Sequence, residues 1–257
     1  MSSSTPPIPH ILLLGATGYL GGSILSSLLP NIITFPPNYT IAALVRSPEK
    51  AKWPESHNIR PILGSLDDAV LIEEEASKAD ILINTADSDH LPSARAAVAG
   101  LIQRFQETQK KPLYLHTSGT GILISPTTVP GTAEPRIWSD ADAASLAAIS
   151  PTYLHRESDL FLLLPAHASS IHITIVAPSA IHGMGTGPAG FANRLSVQIP
   201  WLISNALKLG KMHMVGRGEN WNCQVHVADL VGFYGRLLEM YISGSESISE
   251  LPTGYVF

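Results

Sequence analysis

Cysteine is almost absent from this 257-residue chain. Cys223 stands alone, so no intramolecular disulfide can form, which fits a reducing compartment. Charge is scarce as well. Only 14% of residues are charged, the net charge is -5, and no basic stripe occurs, which argues against a nucleic-acid partner. Long apolar runs are missing; stretches such as Ile11 to Leu14 are far too short to span a bilayer. The start, "MSSSTPPIPH", has neither a positive first region nor a long apolar one, so it does not read as a secretory signal. Ten histidines occur without one H-x-x-x-H or H-E-x-x-H spacing, so no metal site is expected. A cytoplasmic protein with a small-molecule substrate and no membrane partner is expected. Periodicity marks no decisive interface helix and leaves the oligomeric state open, a homodimer included.

What is present is apolar and periodic. Hydrophobic residues make up 45% of the chain, enough for a sizeable core. Twenty prolines fall mostly between periodic segments, where they mark loops, and an irregular Pro/Gly-rich stretch runs from Ile122 to Pro135. "HILLLGA", "YTIAALVRS", "IRPILGSL", "DILINTA", "KPLYLHTSG" and "IHITIVAPSAIHG" read as six buried strands. "GGSILSSLLP", "DDAVLIEEEASKA", "LPSARAAVAGLIQRFQETQ" and "HRESDLFLLLPAH" read as helices between them. This alternation predicts an α/β fold, a Rossmann-type doubly wound parallel sheet with right-handed crossovers. The dinucleotide-binding core is expected over residues 1–183. A smaller substrate-side segment is expected over 184–257, with a helix around Ile199 to Leu209 and a strand and helix at about 223–242 returning to the core.

"LLLGATGYLGG" joins the first strand to the first helix, the context in which a G-x-x-G-x-x-G turn is informative. Gly15 permits the tight turn, Gly18 lets the backbone approach a pyrophosphate, and Gly21 lets the helix pack close to the sheet. Thr17 lies in the turn, and free N–H groups around Tyr19 and Leu20 are placed to hold phosphate oxygens. The second strand ends "LVRSPEK", with Arg46 directly after the apolar run, Lys50 nearby and no acid at the tip. An acid there would bind a ribose 2′-hydroxyl and an Arg suits a 2′-phosphate, so NADP(H) is favoured over NAD(H).

"GATGYLGG", "LVRS", "GSLDD", "NTA" and "VHVADL" together resemble the extended and atypical short-chain dehydrogenase/reductases, the broad family of NAD(P)-dependent epimerases, dehydratases and reductases. The likeness runs from about Ile11 to the end and includes a fungal-type branch of NAD(P)-binding Rossmann proteins. The resemblance implies further cofactor contacts. Ser65 and Leu66 would sit beside the adenine. Asn84, Thr85 and Ala86 would line the cofactor after the fourth strand, and Pro178, Ser179 and Ile181 would touch its nicotinamide end. Extended members continue past the strand that "TGYVF" resembles, so a more open cleft is expected here.

The family's reductases pair a Tyr with a Lys four residues later, and add a Ser or Thr after the fifth strand to polarise a carbonyl. That Tyr-x-x-x-Lys is missing. In "SPTYLHRESDLFLLL", Tyr153 is followed at the fourth place by Glu157, and His155 and Asp159 fall where the motif belongs. Positions four apart share a helix face, so Asp159 is expected to orient His155 as a substitute acid/base; an exposed ion pair is the plainer reading. "LHTSGTG" offers Ser118 and Thr120 as the polarising hydroxyl, with Gly119 at the family's usual place. Arg156 and Glu157 read as surface charges, and Asp229 as the N-cap of the last helix. "HGMGTGPAGF" reads as a flexible loop able to cover a substrate, and Trp201, Met214 and Trp221 as residues able to line an apolar pocket, with packing in the core or the smaller segment the plainer role.

The expectation is an atypical NADP(H)-binding enzyme acting on a small or medium apolar organic substrate, with a place in secondary metabolism. His155 would supply the proton for a reduction. Two rivals follow from the missing Tyr and Lys: a non-redox isomerase, cyclase or lyase using the His–Asp pair, and a non-catalytic NADP-sensing regulator.

Overall fold

A computed structural model of the chain describes residues 8–29, 39–133, 136–243 and 251–257. "MSSSTPP" at the start, Pro30, and the last two residues of the Ile122 to Pro135 stretch lie outside the described residues. The strand β1 (His10–Leu14) is apolar at successive positions, which suits a strand covered on both sides. Ile11 and Leu13 enter one core layer, and Leu12 and Leu14 the other. Around it stand β2 (Thr40–Val45), β3 (Arg60–Leu63), β4 (Ile81–Asn84), β5 (Leu113–Thr117) and β6 (His172–Val176). After β7 (Ala180–His182) and β8 (Gln224–His226), the strand β9 (Gly254–Val256) joins the same sheet beside β6. The order is β3-β2-β1-β4-β5-β6-β9, parallel throughout. Strand order reverses between β1 and β4, the switch point at which doubly wound sheets bind ligands beyond their carboxyl ends.

Eight α-helices occur among the described residues, and all but α7 contribute to the two core layers. They are α1 (Tyr19–Ser27), α2 (Pro48–Glu55), α3 (Ala69–Ala76), α4 (Leu91–Thr108), α5 (Ala143–Ala147), α6 (Arg156–Leu162), α7 (Gln198–Leu209) and α8 (Val227–Ile242). On one face Ile24 and Leu25 of α1 pack with Leu230, Tyr234 and Leu238 of α8. On the other, Ile72 of α3, Ala97 and Leu101 of α4, and Leu162 of α6 surround Tyr114.

Several expectations are corrected. The expected sixth strand, "IHITIVAPSAIHG", is two. Pro178 follows β6, and β7 leaves the main sheet to pair with β8 in a two-stranded ribbon. Asp229 is not the N-cap of α8; His226 is, accepting from Ala228 N–H at 3.1 Å. α2, which carries proline at its first position, was not legible as an apolar period because its residues are mostly polar. Trp201, Met214 and Trp221 pack nowhere: α7 buries no residue, and Trp221 is 90% exposed. Helical periodicity identifies an apolar face without saying what it covers.

"HGMGTGPAGF" is fastened rather than loose. Ser26 Oγ donates to Thr186 O, Thr186 N–H donates to Ser23 Oγ, and Tyr19 OH donates to Gly183 O at 2.8 Å. Lys50 Nζ donates to the carbonyls of Gly190 and Phe191, and Trp53 stacks on Phe191.

Gly100 marks the close crossing of α3 and α4. A Cβ there would overlap Glu73 O and stand 2.7 Å from Ala76 Cβ. Gly100→Ala gains about 1 kcal/mol of helix propensity but overpacks backbone at a typical cost of about 1–3 kcal/mol. The net expectation is a loss of roughly 1–2 kcal/mol in urea denaturation; an unchanged or raised midpoint would show that the helices separate freely.

Candidate active site

The turn after β1 is crowded. Gly15 adopts φ +91°, and a Cβ on it would stand 2.7 Å from Ala86 N. A Cβ on Gly21 would overlap Gly15 O and Thr85 Oγ1. Thr85 in turn donates to Leu14 O through both its amide, at 3.0 Å, and its hydroxyl, at 3.0 Å, which locks the tips of β1 and β4 together. Gly18 caps α1 without a side chain, so the first N–H groups of the helix are left to solvent or a ligand.

Beside this turn lies a cavity of about 460 Å³. Of the residues expected at a cofactor, Gly15, Thr17, Gly18, Arg46, Ser65, Leu66, Thr85 and Ala86 line it, joined by Leu44, Asp67, Asp87 and His90. His90 Nε2 meets Asp67 Oδ1 at 3.1 Å across it. Arg46 is exposed at the tip of β2 and has no hydrogen-bond or ion-pair partner among the described residues. The other expected residues stand apart from the cavity. The Leu20 side chain is in the core, and the Tyr19 hydroxyl is bonded to Gly183 O. Pro178 and Ser179 lie half-buried beyond β6, where Pro178 O accepts from Thr120 N–H at 3.0 Å, and Ile181 packs against the core from β7. Asn84 is buried: its Oδ1 accepts from Ala86 N–H at 3.0 Å and its Nδ2 faces His116 Nδ1 at 3.3 Å. Lys50 is occupied with the Gly190 and Phe191 carbonyls.

The expected His155–Asp159 pair does not form. His155 is not inside the helix; it caps α6 in the left-handed conformation, φ +64°, so the rule that residues four apart share a face does not reach it. Its Nδ1 meets Asp89 Oδ1 at 2.8 Å and Ser88 Oγ at 3.1 Å. Its other nitrogen, Nε2, points to the turn after β5: a Cβ placed on Gly119 or on Gly121 would be 3.4 Å from it. Asp159 is fully buried and accepts from Ser118 Oγ at 2.8 Å and from Tyr255 OH at 2.9 Å, both on Oδ2. Thr120 opens a short 3-10 turn over Thr120–Leu123 without a hydroxyl contact to either group.

Arg156 is no surface charge. It is 1% exposed; Nη1 donates to Tyr255 OH at 2.7 Å and Nη2 to Ile149 O at 3.1 Å. A buried cation and a buried carboxylate therefore face each other through one tyrosine hydroxyl. Burial pushes the Asp159 carboxyl up to about 6, against the pull of Ser118, Tyr255, His155 and Arg156. Burial, with His155 nearby, pushes His116 down to about 4. His116 Nε2 and Asp159 Oδ1 stand 3.6 Å apart, and neither has a closer partner. Asp89, Tyr255 and His116 were all missed in the sequence; His116 sits near the carboxyl end of β5 and Asp89 in the turn between β4 and α4, where chemistry gathers, but nothing local links Tyr255 to this site.

Comparison with known proteins adds to this geometry. The solved structure of UDP-glucose 4-epimerase from Thermotoga maritima, with UDP-glucose, superposes with a TM-score of 0.57 at 16% identity, over 90% of this chain and 72% of that one. The dTDP-glucose 4,6-dehydratase DesIV of Streptomyces venezuelae, solved with NAD, superposes with a TM-score of 0.60 at 17% identity, over 96% and 74%. The chain shares the Rossmann-type α/β fold of these enzymes. No family model matches it. An Acremonium protein named oxidase ucsJ is 28% identical over 232 residues, 87% of this chain and 64% of its own length. The strand order seen here brings the glycine turn and Ser118 to the carboxyl edge of the sheet, and His155 faces the same edge at the Gly119–Gly121 turn.

The raised Asp159 carboxyl has a consequence for stability. The folded state holds its proton more tightly than the unfolded chain, so this group favours folding below about pH 4 and the contribution is lost as pH rises through about 6. The stability advantage of wild type over Asp159→Asn is expected to shrink by roughly 1–2 kcal/mol between about pH 5 and pH 7.5 in urea denaturation. An equal difference at both pH values would put Asp159 in the ordinary carboxylate range.

Proposed function

We propose that the protein is an NADP(H)-dependent enzyme that acts on a carbonyl or alcohol of a small or medium organic molecule, in the cytoplasm and in secondary metabolism. The observation that carries this reading is the cavity between the glycine turn and β2, bordered by an unpaired Arg46 and no acid at the β2 tip. The donor set fits a pyridine dinucleotide 2′-phosphate. Gly15 and Gly18 leave the turn open to a pyrophosphate, the uncapped first turn of α1 offers N–H groups, and Ser65, Leu66 and Asp67 wall the adenine end. A reduced nicotinamide, when bound, supplies hydride to a substrate carbon.

The residues of the chain handle the proton. His155 is held at Nδ1 by Asp89 and Ser88, so the Nε2 directed at the Gly119–Gly121 turn is the atom free to give or take one. The two glycines leave room against the ring where a substrate oxygen fits. Ser118, just after β5, supplies a hydroxyl that can polarise a carbonyl. The fold of the epimerases and dehydratases and the likeness to a protein named an oxidase support redox chemistry at a carbon bearing oxygen. A second reading keeps the cofactor without net redox. His155 with Asp89 is a complete acid/base pair, as an isomerisation or elimination needs, and turnover without consumption of NADPH distinguishes it.

Titration of the purified protein with NADPH and NADH by fluorescence tests the cofactor. NADPH is expected to bind at least tenfold more tightly, and Arg46→Ala to remove most of that preference, as loss of a charge-assisted phosphate contact worth about 1.5–3 kcal/mol requires. Equal affinities in wild type would exclude the 2′-phosphate role. For a substrate found by NADPH consumption, His155→Ala is expected to lower kcat by about 10²–10⁴; unchanged turnover would remove His155 from the chemistry.

A further inference from the structure

Ser118 polarises a substrate carbonyl only by donating its hydrogen into the cleft, yet in the structure it donates inward, to Asp159 Oδ2 at 2.8 Å. A hydroxyl has one proton to give. What decides its direction is the carboxyl behind it, and the surrounding hydrogen bonds decide which carboxyl oxygen carries a proton. Ala86 N–H donates to Asn84 Oδ1, so the amide nitrogen of Asn84 is the end that faces His116. His116 Nδ1 therefore accepts, and in the neutral ring, which burial enforces, the proton is on Nε2. That nitrogen faces Asp159 Oδ1 at 3.6 Å, beyond hydrogen-bond distance, and the ring also meets the Ser88 backbone. A proton on Oδ1 would face this N–H without an acceptor, whereas one on Oδ2 finds an acceptor in Ser118 Oγ. A proton taken up by Asp159 goes to Oδ2, beside Ser118 and Tyr255. Tyr255 OH already accepts from Arg156 Nη1, and Ser118 Oγ has no donor.

We propose that Asp159 is the proton-holding residue behind Ser118: a protonated Asp159 donates to Ser118 Oγ and turns the serine hydroxyl outward, and an ionised one turns it inward. His116 and Asn84 are positioning residues that keep the acid proton on Oδ2. The inference rests on the carbonyl reading above. In the reductive direction the outward Ser118 hydroxyl donates a hydrogen bond to the substrate carbonyl oxygen, the proton of the new O–H bond comes from His155 Nε2, and Asp159 keeps its own proton. Arg156, His155, His116, Tyr114 and Tyr255 are the charged or titratable groups facing Asp159; from α4, Arg95 turns instead onto the Phe161 ring. The raised Asp159 carboxyl places this change of direction close to neutral pH.

Carboxyl ¹³C NMR of aspartate-labelled protein, from about pH 4.5 to pH 8, reads the proposal without a substrate, with Asp159→Asn assigning the signal. A wild-type midpoint near 6 is expected. Ser118→Ala removes a donor to the ionised form, so its midpoint should rise by about 0.5–1 unit, the equivalent of one hydrogen bond. Ser118→Thr, which keeps the hydroxyl, should return it to the wild-type value. If Ser118→Ala does not fold, Ser118→Cys, with a weaker donor, should shift the midpoint upward by a smaller amount. A midpoint indifferent to all of these substitutions would overturn the inference while leaving NADPH binding intact. On a carbonyl substrate, kcat/KM of wild type should fall as pH rises through about 6, and Asp159→Asn should lack that limb; a limb kept in the variant also overturns it. The enzyme reading fails separately, if no carbonyl compound consumes NADPH while the NMR coupling is present.

Discussion

The carbonyl of Gly15 is a crowded point at the carboxyl edge of the sheet. Gly21 of α1 passes so close to it that any side chain would collide, and Thr85 reaches across from β4 to the same place. This contact sets how near α1 stands to the sheet and fixes β1 against β4 at the switch point. Everything with chemical promise hangs from that junction. Thr85 and Ala86 wall the nucleotide cavity, Asn84 just before them begins the buried hydrogen-bond chain, and Ser88 and Asp89 just after them hold His155.

The buried charges impose a second constraint. Arg156 and Asp159 lie one turn apart on α6, but they meet only through Tyr255 from the far end of the chain. Removing one member of a buried pair leaves the other uncompensated, at a cost of about 3–5 kcal/mol, while a well-packed apolar replacement of both is often neutral. Stability alone therefore gives little reason for the pair. Control of the proton at Asp159 gives one.

The fold was largely legible in the sequence because it depends on local signals. Six strands, the glycine turn and Arg46 at the β2 tip follow from apolar runs and three glycines, and eight of the expected cofactor residues line one cavity. The acid/base site was less legible. His155 and Asp159 have helical spacing, but a left-handed residue at the helix start swings the imidazole to Asp89, 66 positions away in sequence. Arg156 reads as a surface charge because its partner, Tyr255, is 99 residues distant. Two-residue contacts at such separations leave no periodic trace. The apolar residues of α7 and the segment after it were equally misleading, since an amphipathic helix looks the same whether or not anything covers it.

Lys50 is tied to the carbonyls of Gly190 and Phe191, and Trp53 of the same helix is stacked on Phe191. α2 begins two residues after Arg46, and the segment it grips leads back to Gly183, where Tyr19 is anchored. The stretch that follows β2 thus holds Arg46 at the cavity and clasps the Gly190–Phe191 segment, a buckle between the cavity and the chain beyond β7.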